Sequence, residues 1–207
     1  DKGMAQIFYG SAAGLQCSPG STITTELTGA EFGAAVGGAG DVNADGYADV
    51  IVGAPYAKDL LDQQVGAAYL YLGSAAGLSL TPAWQAQSNQ VYSLFGSAVG
   101  GAQDVNQDGF DDLLVGAPQF AGDQDGEGAV FLYFGGFQPA SAYPSWTGYG
   151  NKADTSFGAS IHTAGDVNQD GRPDLIVGAP EYKLDTLIVG RSMAFYASIT
   201  PNKVFLP

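Results

Sequence analysis

An internal repeat of 62 to 63 residues constrains the fold of this sequence more than any other feature. Phe-Gly begins at positions 32, 95 and 157, and Gly-Ala-Pro begins 21 residues after each of them. The three 24-residue blocks so defined align without gaps, and the first is identical to the second at 17 positions and to the third at 16. Repeats of this kind each form one supersecondary unit that buries its apolar side against its neighbours. The sequence therefore predicts an array of similar units.

A second recurring segment follows each block and shows how the units are arranged along the chain. GAAYLYLGSAAGL at 66–78 matches GMAQIFYGSAAGL at 3–15, GAVFLYFG at 128–135 is a third copy, and GRSMAFYA at 190–197 is a degraded fourth. These matches predict the back half of one unit followed by three units, the last with a divergent C-terminal end. We place the units at 1–30, 31–93, 94–155 and 156–207.

Each unit is predicted to contain four short β-strands. In the first complete unit these lie at 32–38, at 49–53, at the aromatic segment 67–72 and, more weakly, at 83–87. β-Branched and aromatic runs bounded by Gly and Pro favour strands, and 31 Gly among 207 residues disfavour long helices. Four strands are the content of one β-propeller blade. The predicted fold is an all-β propeller of four-stranded antiparallel blades, with about three and a half blades in this chain.

Each 24-residue block contains the same acidic nine-residue loop. Oxygen-bearing side chains stand at positions 1, 3, 5 and 9, and glycine at position 6 permits a sharp turn that lets the carbonyl of position 7 face the same centre. A set of oxygen donors without His or Cys selects Ca²⁺ over zinc or copper. We therefore predict three Ca²⁺ sites with these candidate ligands: Asp41, Asn43, Asp45, Tyr47 and Asp49; Asp104, Asn106, Asp108, Phe110 and Asp112; Asp166, Asn168, Asp170, Arg172 and Asp174.

The same loops are open to two other interpretations. Asp and Asn are ordinary turn residues, so a single copy is also explained by a solvated turn, whereas three copies in one register favour metal binding. An EF-hand shares positions 1, 3, 5 and 6 of the pattern but requires Glu at position 12 and flanking helices. Position 12 is Val52, Val115 or Val177 and lies in a predicted strand, which excludes an EF-hand.

The acidic loops account for much of the charge of the chain. Seven Lys and Arg against 21 Asp and Glu give a formal net charge of −14, and ten of the acids lie in the three loops. A phosphate backbone requires clustered cations, and an anionic membrane surface attracts basic segments, so this balance disfavours nucleic acid and membrane surfaces as partners. No apolar run approaches the ~20 residues that span a bilayer, which predicts no direct membrane insertion.

The order Phe-Gly, Asp-x-Asn-x-Asp-Gly-x-x-Asp, Gly-Ala-Pro resembles the FG-GAP repeat of the integrin α-subunit propeller family, and the resemblance covers essentially the whole chain. It implies a propeller, usually of seven blades, whose calcium loops join the first and second strands on one face. It also implies that the side chains at positions 1, 3, 5 and 9 and the carbonyl of position 7 are the ligands. Family members bind protein or extracellular-matrix partners with loops on the opposite face, which here correspond to 56–65, 119–127 and 181–189.

Two features depart from the animal members of this family. Their ectodomains carry disulfides in this region, whereas Cys17 is the single cysteine here, so the chain is more similar to a prokaryotic or minimal FG-GAP protein. Three and a half blades are also fewer than the about four to eight of a closed ring. Either the propeller is longer than this sequence or a second chain completes it, because open sheet edges invite aggregation.

Several other conspicuous residues have structural explanations. His162, the single histidine, has no partner Cys, Ser or acid motif, so we expect it to be structural, and Cys17 lies outside any nucleophile signature, so we expect its thiol to be inert. Trp84 and Trp146 occupy matching places in successive units, which favours packing between blades over a carbohydrate platform. The acidic stretch 123–127 has no sister copy, and a solvated turn is favoured there over a fourth cation site or a ligand loop.

Functions of three classes are compatible with this pattern. The leading one is a calcium-stabilised propeller module, extracellular or at the cell surface, that recognises a protein, matrix or glycan ligand. The alternatives are a scaffold or accessory domain of a secreted or surface hydrolase acting on glycans or lipids, and a structural spacer. No nucleophile–base pair or catalytic motif is visible in the sequence, so we expect no enzymatic activity.

Overall fold

The computed structural model describes residues 2–137 and 140–197, and its regular structure over these ranges consists of β-strands without helices. The divergent C-terminal end predicted for the last unit lies, beyond residue 197, outside the described residues. The strands are β1 (Lys2–Ile7), β2 (Gly10–Ser11), β3 (Gly14–Leu15), β4 (Ser21–Thr28), β5 (Ala35–Gly40), β6 (Asp49–Ala54), β7 (Ala67–Tyr71), β8 (Trp84–Gln87), β9 (Ala98–Gln103), β10 (Asp112–Ala117), β11 (Ala129–Tyr133), β12 (Trp146–Tyr149), β13 (Ser160–Gly165), β14 (Asp174–Ala179), β15 (Lys183–Leu184), β16 (Leu187–Ile188) and β17 (Arg191–Phe195).

Two complete four-stranded sheets follow the order of the chain. One has the strand order β5-β6-β7-β8 and the other β9-β10-β11-β12, and every pairing in them is antiparallel. Such a meander, in which each strand pairs with the one before it, is the unit of a propeller blade. A further sheet contains β13, β14 and β17, and β1 pairs with β4 at the start of the chain. The predicted all-β fold with four-stranded antiparallel blades is confirmed.

The hydrophobic core lies between neighbouring sheets. All residues of β10 and β11 are buried, because these central strands are covered by a sheet on each face. One core cluster contains Ile51 of the first complete blade and Leu113 of the next. Trp84 packs edge-on against Tyr133 with ring centroids 4.9 Å apart, and Trp146 packs against an aromatic ring of β17. The prediction that the two tryptophans pack between blades is confirmed.

The Phe-Gly dipeptide lies in the turn before the first strand, and the predicted strand at 32–38 is therefore wrong at its beginning. β5 starts at Ala35, after the turn. Gly33 has a left-handed φ of 89°, which favours glycine, and its amide donates to the carbonyl of Gly53 at 2.9 Å. The Phe32 ring is buried in the core. The dipeptide thus fixes the turn that precedes the first strand of the blade, and it is not part of the sheet.

The glycine of Gly-Ala-Pro is required by the contact between blades. A Cβ on Gly53 would lie 1.9 Å from the carbonyl oxygen of Gly96, and a Cβ on Gly116 would lie 2.1 Å from that of Gly158. Only glycine lets the second strand of one blade approach the Phe-Gly turn of the next so closely. The two signature motifs are therefore the two sides of one blade-to-blade contact.

The remaining features lie at the surface. The segment 181–189 contains a short hairpin of β15 and β16, which the sequence did not predict. His162 on β13 and Cys17 are both exposed. Over the described ranges, no helix has the length and apolar character for crossing a bilayer.

Candidate functional site

The three acidic loops occupy equivalent places in their sheets. The loop at 41–49 joins β5 to β6, the loop at 104–112 joins β9 to β10, and the loop at 166–174 joins β13 to β14. Each loop ends on the first residue of the second strand, and the register shifts where that strand meets the first one. The loops therefore connect the first and second strands, at the same end of each sheet.

Side-chain oxygens converge on the backbone within each loop. In the first loop, the amide of Asp45 donates to Asp41 Oδ1 at 3.0 Å and to Asn43 Oδ1 at 3.1 Å. The Gly46 amide donates to Asp41 Oδ2 at 2.8 Å, and the Tyr47 amide donates to Asp45 Oδ1 at 2.9 Å. The equivalent bonds in the other two loops differ by no more than 0.2 Å. Positions 1, 3 and 5 thus point to the inside of one curled loop.

The backbone conformation explains why glycine stands at position 6. Gly46 has a φ of 91°, and the glycines at the same position of the other loops have φ values of 93° and 87°. Position 4 is also left-handed, with φ of 56° at Ala44. Two left-handed residues with one residue between them curl the backbone tightly and bring the acidic side chains together. Glycine adopts the left-handed conformation with the lowest conformational energy.

The aspartate at position 9 has a second role that sequence reasoning missed. Asp49 is buried, and its carboxylate accepts from the amide of Val42 at 2.9 Å and from the amide of Gly73 at 2.8 Å. Asp112 and Asp174 are buried in the same way and accept two equivalent amides each. The carboxylate at position 9 therefore links the acidic loop to the segment that follows the third strand of the same unit. The signal in the sequence was an acid at the start of an apolar strand.

Burial and like charge act together on Asp49 and Asp112. Burial, and to a smaller extent the carboxylates of Asp108 and Asp104, raise the pKa of Asp112 to about 7, against the lowering effect of its two amide donors. The pKa of Asp49 is also raised, mainly by burial. An ionised carboxylate at Asp49 or Asp112 is therefore costly without a positive charge nearby. This electrostatic cost is what a cation in the loop would offset.

The donor set of each loop fits a hard cation. Among residues 2–137 and 140–197, no three His, Cys, Asp or Glu side chains are grouped so as to hold a metal ion by themselves. The predicted set, however, also includes an asparagine and a backbone carbonyl, and a carboxylate oxygen that accepts one amide keeps a second lone pair. Oxygen donors of mixed side-chain and backbone origin on a flexible loop are those that Ca²⁺ prefers.

Comparison with known proteins identifies the family. A family model described as FG-GAP repeat matches residues 32–71, 95–133 and 157–194. The chain belongs to the FG-GAP repeat family. Integrin alpha-V of Gallus gallus is 35% identical over 92% of this chain and 18% of its own length. Integrin alpha-7 of Homo sapiens is 37% identical over 80% of this chain and 14% of its own length. The FG-GAP chain thus spans less than a fifth of the length of these curated relatives, and the resemblance predicted from its motifs is confirmed.

Neighbouring FG-GAP units are linked directly through their acidic loops. Asp111, the extra acid of the second loop, accepts from the amide of Asp41 at 2.8 Å, and its own amide donates to the Asp41 carbonyl at 3.1 Å. Arg172 of the third loop donates through Nη1 to the carbonyl of Val105 in the second at 3.0 Å. The loops therefore form one continuous acidic surface. Sequence reasoning did not predict these links, because they join residues 67 to 70 positions apart.

The loops of the FG-GAP units at 56–65, 119–127 and 181–189 leave the opposite ends of the second strands, as the resemblance implied. The first of these loops exposes two apolar side chains, with Leu60 fully exposed and Leu61 77% exposed. Tyr92 lies beside it, between β8 and β9, where its amide donates to the carbonyl of Gln64 and its side chain is 69% exposed. Large apolar groups at loop tips are costly in water and are characteristic of interaction surfaces.

Glu127 differs from the solvated turn predicted for 123–127. Asp123 and Asp125 are exposed, but Glu127 is only 1% exposed, and its Oε1 has no hydrogen-bond partner among the residues that the structure describes. Its backbone carbonyl accepts from Thr155 Oγ1 at 2.7 Å, which holds the residue in the junction with the next blade. The turn prediction is therefore wrong for this residue, because a tertiary contact draws it inward.

Proposed function

We propose that this chain is a calcium-stabilised FG-GAP recognition module that works outside the cell or at its surface. The observation that carries the proposal is the threefold recurrence of one acidic loop, with oxygen donors converging in the same geometry each time. The relatives carry the names of integrin α subunits, which favours recognition over catalysis. Extracellular calcium suits the affinity of about 10⁻⁴ to 10⁻³ M that is typical of extracellular modules.

Calcium would have a structural role in this proposal. Each loop brings together three aspartates at positions 1, 5 and 9, of which the last is buried, so the calcium-free loop suffers repulsion and desolvation. Residues at positions 1, 3 and 5 and the position-7 carbonyl would hold the ion, and the position-9 carboxylate would add a ligand while keeping its amide donors. The loop would then fix the connection between the first two strands of each blade.

The calcium proposal is tested by thermal unfolding in chelator, in Ca²⁺ and in Mg²⁺. If free Ca²⁺ is about tenfold above Kd, each site adds about 1.4 kcal/mol, and three sites add about 4 kcal/mol. For a chain of this size we expect chelation to lower Tm by about 8–16 °C. Ca²⁺ should restore Tm better than Mg²⁺, which demands a stricter octahedral geometry. Equal Tm values with and without chelator would refute calcium binding.

A matched pair of variants locates the effect in a loop. Asp108→Ala removes a position-5 donor that is exposed, so we expect it to reduce the calcium stoichiometry measured by titration calorimetry from three to two. Asp123→Ala removes an equally exposed acid outside the loops and should leave the stoichiometry at three. A stoichiometry that both variants lower, or that neither lowers, would contradict the assignment of the ligands.

Recognition is assigned in this proposal to the loop surface opposite the calcium loops. Leu60 and Leu61 project from it, and the partner would be a protein, matrix or glycan ligand that covers them. Binding to immobilised matrix proteins and to a glycan array should fall when both leucines are changed to Asp. Leu80→Asp is the control, because Leu80 is 62% exposed at the calcium-loop end. A ligand lost only with Leu80→Asp would place recognition on the other face.

A further inference from the structure

The first and second acidic loops are joined through their backbones. Asp111 Oδ2 accepts from the amide of Asp41 at 2.8 Å, and the amide of Asp111 donates to the Asp41 carbonyl at 3.1 Å. Asp41 stands at position 1 of its loop and is a predicted ligand, whereas Asp111 stands at position 8, between the predicted ligands Phe110 and Asp112. The two bonds therefore fix the backbone next to predicted ligands of both loops at once.

The preceding unit makes room for this contact. A Cβ on Gly40 would lie 2.1 Å from Asp111 Oδ2, and Gly40 has a left-handed φ of 83°. Glycine at this position lets the carboxylate of the next unit reach the Asp41 amide. Asp111 is half-buried, and an ionised acceptor makes a stronger hydrogen bond than a neutral one. The contact therefore depends on residues of both units.

A second connection links the two buried carboxylates at position 9. In the first loop, the amide of Val42 donates to Asp49 Oδ2 at 2.9 Å. The carbonyl of Val42 accepts from the amide of Gly136 at 2.9 Å. The neighbouring amide, that of Gly135, donates to Asp112 Oδ1 in the second loop at 2.9 Å. A continuous series of backbone groups thus connects one position-9 carboxylate to the other.

The third loop is joined to the second through side chains. Gln107 Nε2 donates to the carbonyl of Gly171 at 2.9 Å, and Arg172 Nη1 donates to the Val105 carbonyl at 3.0 Å. Pro173 stands where the second loop has its extra acid, and proline has neither a carboxylate nor an amide hydrogen. Long side chains retain rotational freedom, so they hold two loops together less rigidly than backbone contacts do.

We propose that the first and second loops bind Ca²⁺ as a cooperative pair and that the third loop is coupled to them more weakly. This pairing rests on the calcium binding proposed above. An ion in either loop would fix the backbone of that loop, and the contacts of Asp111 and Gly136 would order the backbone of the other. The second ion then meets a loop whose conformational entropy has already been lost, which produces positive cooperativity. Asp111 thus acts as a positioning residue for the ion of the preceding loop.

The sign of the coupling separates this mechanism from an interaction by charge alone. Two Ca²⁺ ions repel each other, so charge alone makes the second ion bind more weakly and gives a Hill coefficient below about 1. Coupling through the backbone makes the second ion bind more tightly. Linkage requires that each loop then raises the calcium affinity of the other by the same factor. A Hill coefficient above about 1 in both loops therefore requires coupling through the structure.

The test is a Ca²⁺ titration of the full chain followed by NMR, in which the amides of Gly46, Gly109 and Gly171 report on the three loops separately. A coupling of about fivefold gives a Hill coefficient of about 1.4 for the first two amides, and Gly171 should give about 1. Asp108→Ala removes a position-5 ligand of the second loop. The first loop should then need about twofold more Ca²⁺ for half-saturation, with a Hill coefficient of about 1.

Substitutions at position 8 locate the coupling. Asp111→Pro removes both the acceptor and the amide, and the third loop already has proline at this position. We expect it to lower the Hill coefficient of Gly46 below about 1.2, while all three loops still saturate. Asp111→Asn keeps an acceptor and the amide and should keep the wild-type value. Ala48→Pro is the proline control and should also keep it, because the Ala48 amide donates to no backbone carbonyl among the described residues.

The outcomes separate the pairing from calcium binding itself. Hill coefficients of about 1 or less for Gly46 and Gly109, or an unchanged value in Asp111→Pro, would overturn the pairing and leave calcium binding in place. A Gly171 titration as steep as the other two would place the coupling outside the contacts of Asp111 and would also overturn the pairing. Loop amides that do not shift with Ca²⁺ would refute calcium binding, and the pairing with it.

Discussion

The blade-to-blade contact predicts opposite effects for the same substitution at two equivalent glycines. In Gly116→Ala, the new Cβ would lie 2.1 Å from the carbonyl oxygen of Gly158, a backbone atom that can move only if two blades separate. In Gly178→Ala, the nearest atom is Ser160 Oγ at 2.3 Å, a side-chain hydroxyl that can rotate away. Neither glycine has a positive φ, so alanine is compatible with both backbones.

The expected magnitude follows from overpacking. Forcing a methyl group into a packed contact costs typically 1–3 kcal/mol. Because the obstacle is rigid, we expect Gly116→Ala to cost about 2–3 kcal/mol and to lower Tm by about 4–12 °C. Gly178→Ala should change the free energy of unfolding by less than about 1 kcal/mol. We expect a small increase, because alanine lowers the conformational entropy of the unfolded chain.

Thermal and urea unfolding followed by circular dichroism measure both variants under the same calcium concentration. Unchanged m-values would show that stability alone is altered. The reasoning is refuted if Gly116→Ala unfolds at the wild-type temperature, or if Gly178→Ala loses as much stability as Gly116→Ala.

Two further predictions concern buried ionisable groups. In chelator, Asp112→Ala should lower the free energy of unfolding by about 2 kcal/mol or more, because one buried and one partly buried amide lose their acceptor. Asp104→Ala, whose hydrogen bonds are exposed, should lower it clearly less, and equal losses in urea unfolding would contradict a structural role for position 9. Burial, with a smaller effect of Tyr69, raises the pKa of Tyr71 from 10.0 to about 12, so its contribution to stability is complete below pH 10 and is lost as pH rises through 12. Tyr71→Phe should therefore weaken the loss of stability between pH 10 and 12, and Tyr143→Phe, at an 82% exposed ring, should not.

The sequence predicted the candidate loops in detail because the relevant information is local. Alternating acids with glycine at position 6 specify a curled loop through side-chain bonds to amides two to five residues away, and the structure has these bonds in all three copies. The strand at 49–53 was likewise predicted to within one residue of β6, because its β-branched run ends at a proline. Whether the loops bind calcium remains a prediction of both the pattern and the geometry.

The repeat by itself determined the all-β class, the four strands of a blade and the position of the loops between strands, because period and spacing are properties of the chain. Only the tertiary structure decided which contacts make the residues of those motifs necessary. Gly53 is glycine because of the Gly96 carbonyl, Asp49 is buried because it accepts the Gly73 amide, and Glu127 lies inside because of Thr155. These contacts join residues far apart in sequence, and their distances are set by how one blade packs on the next.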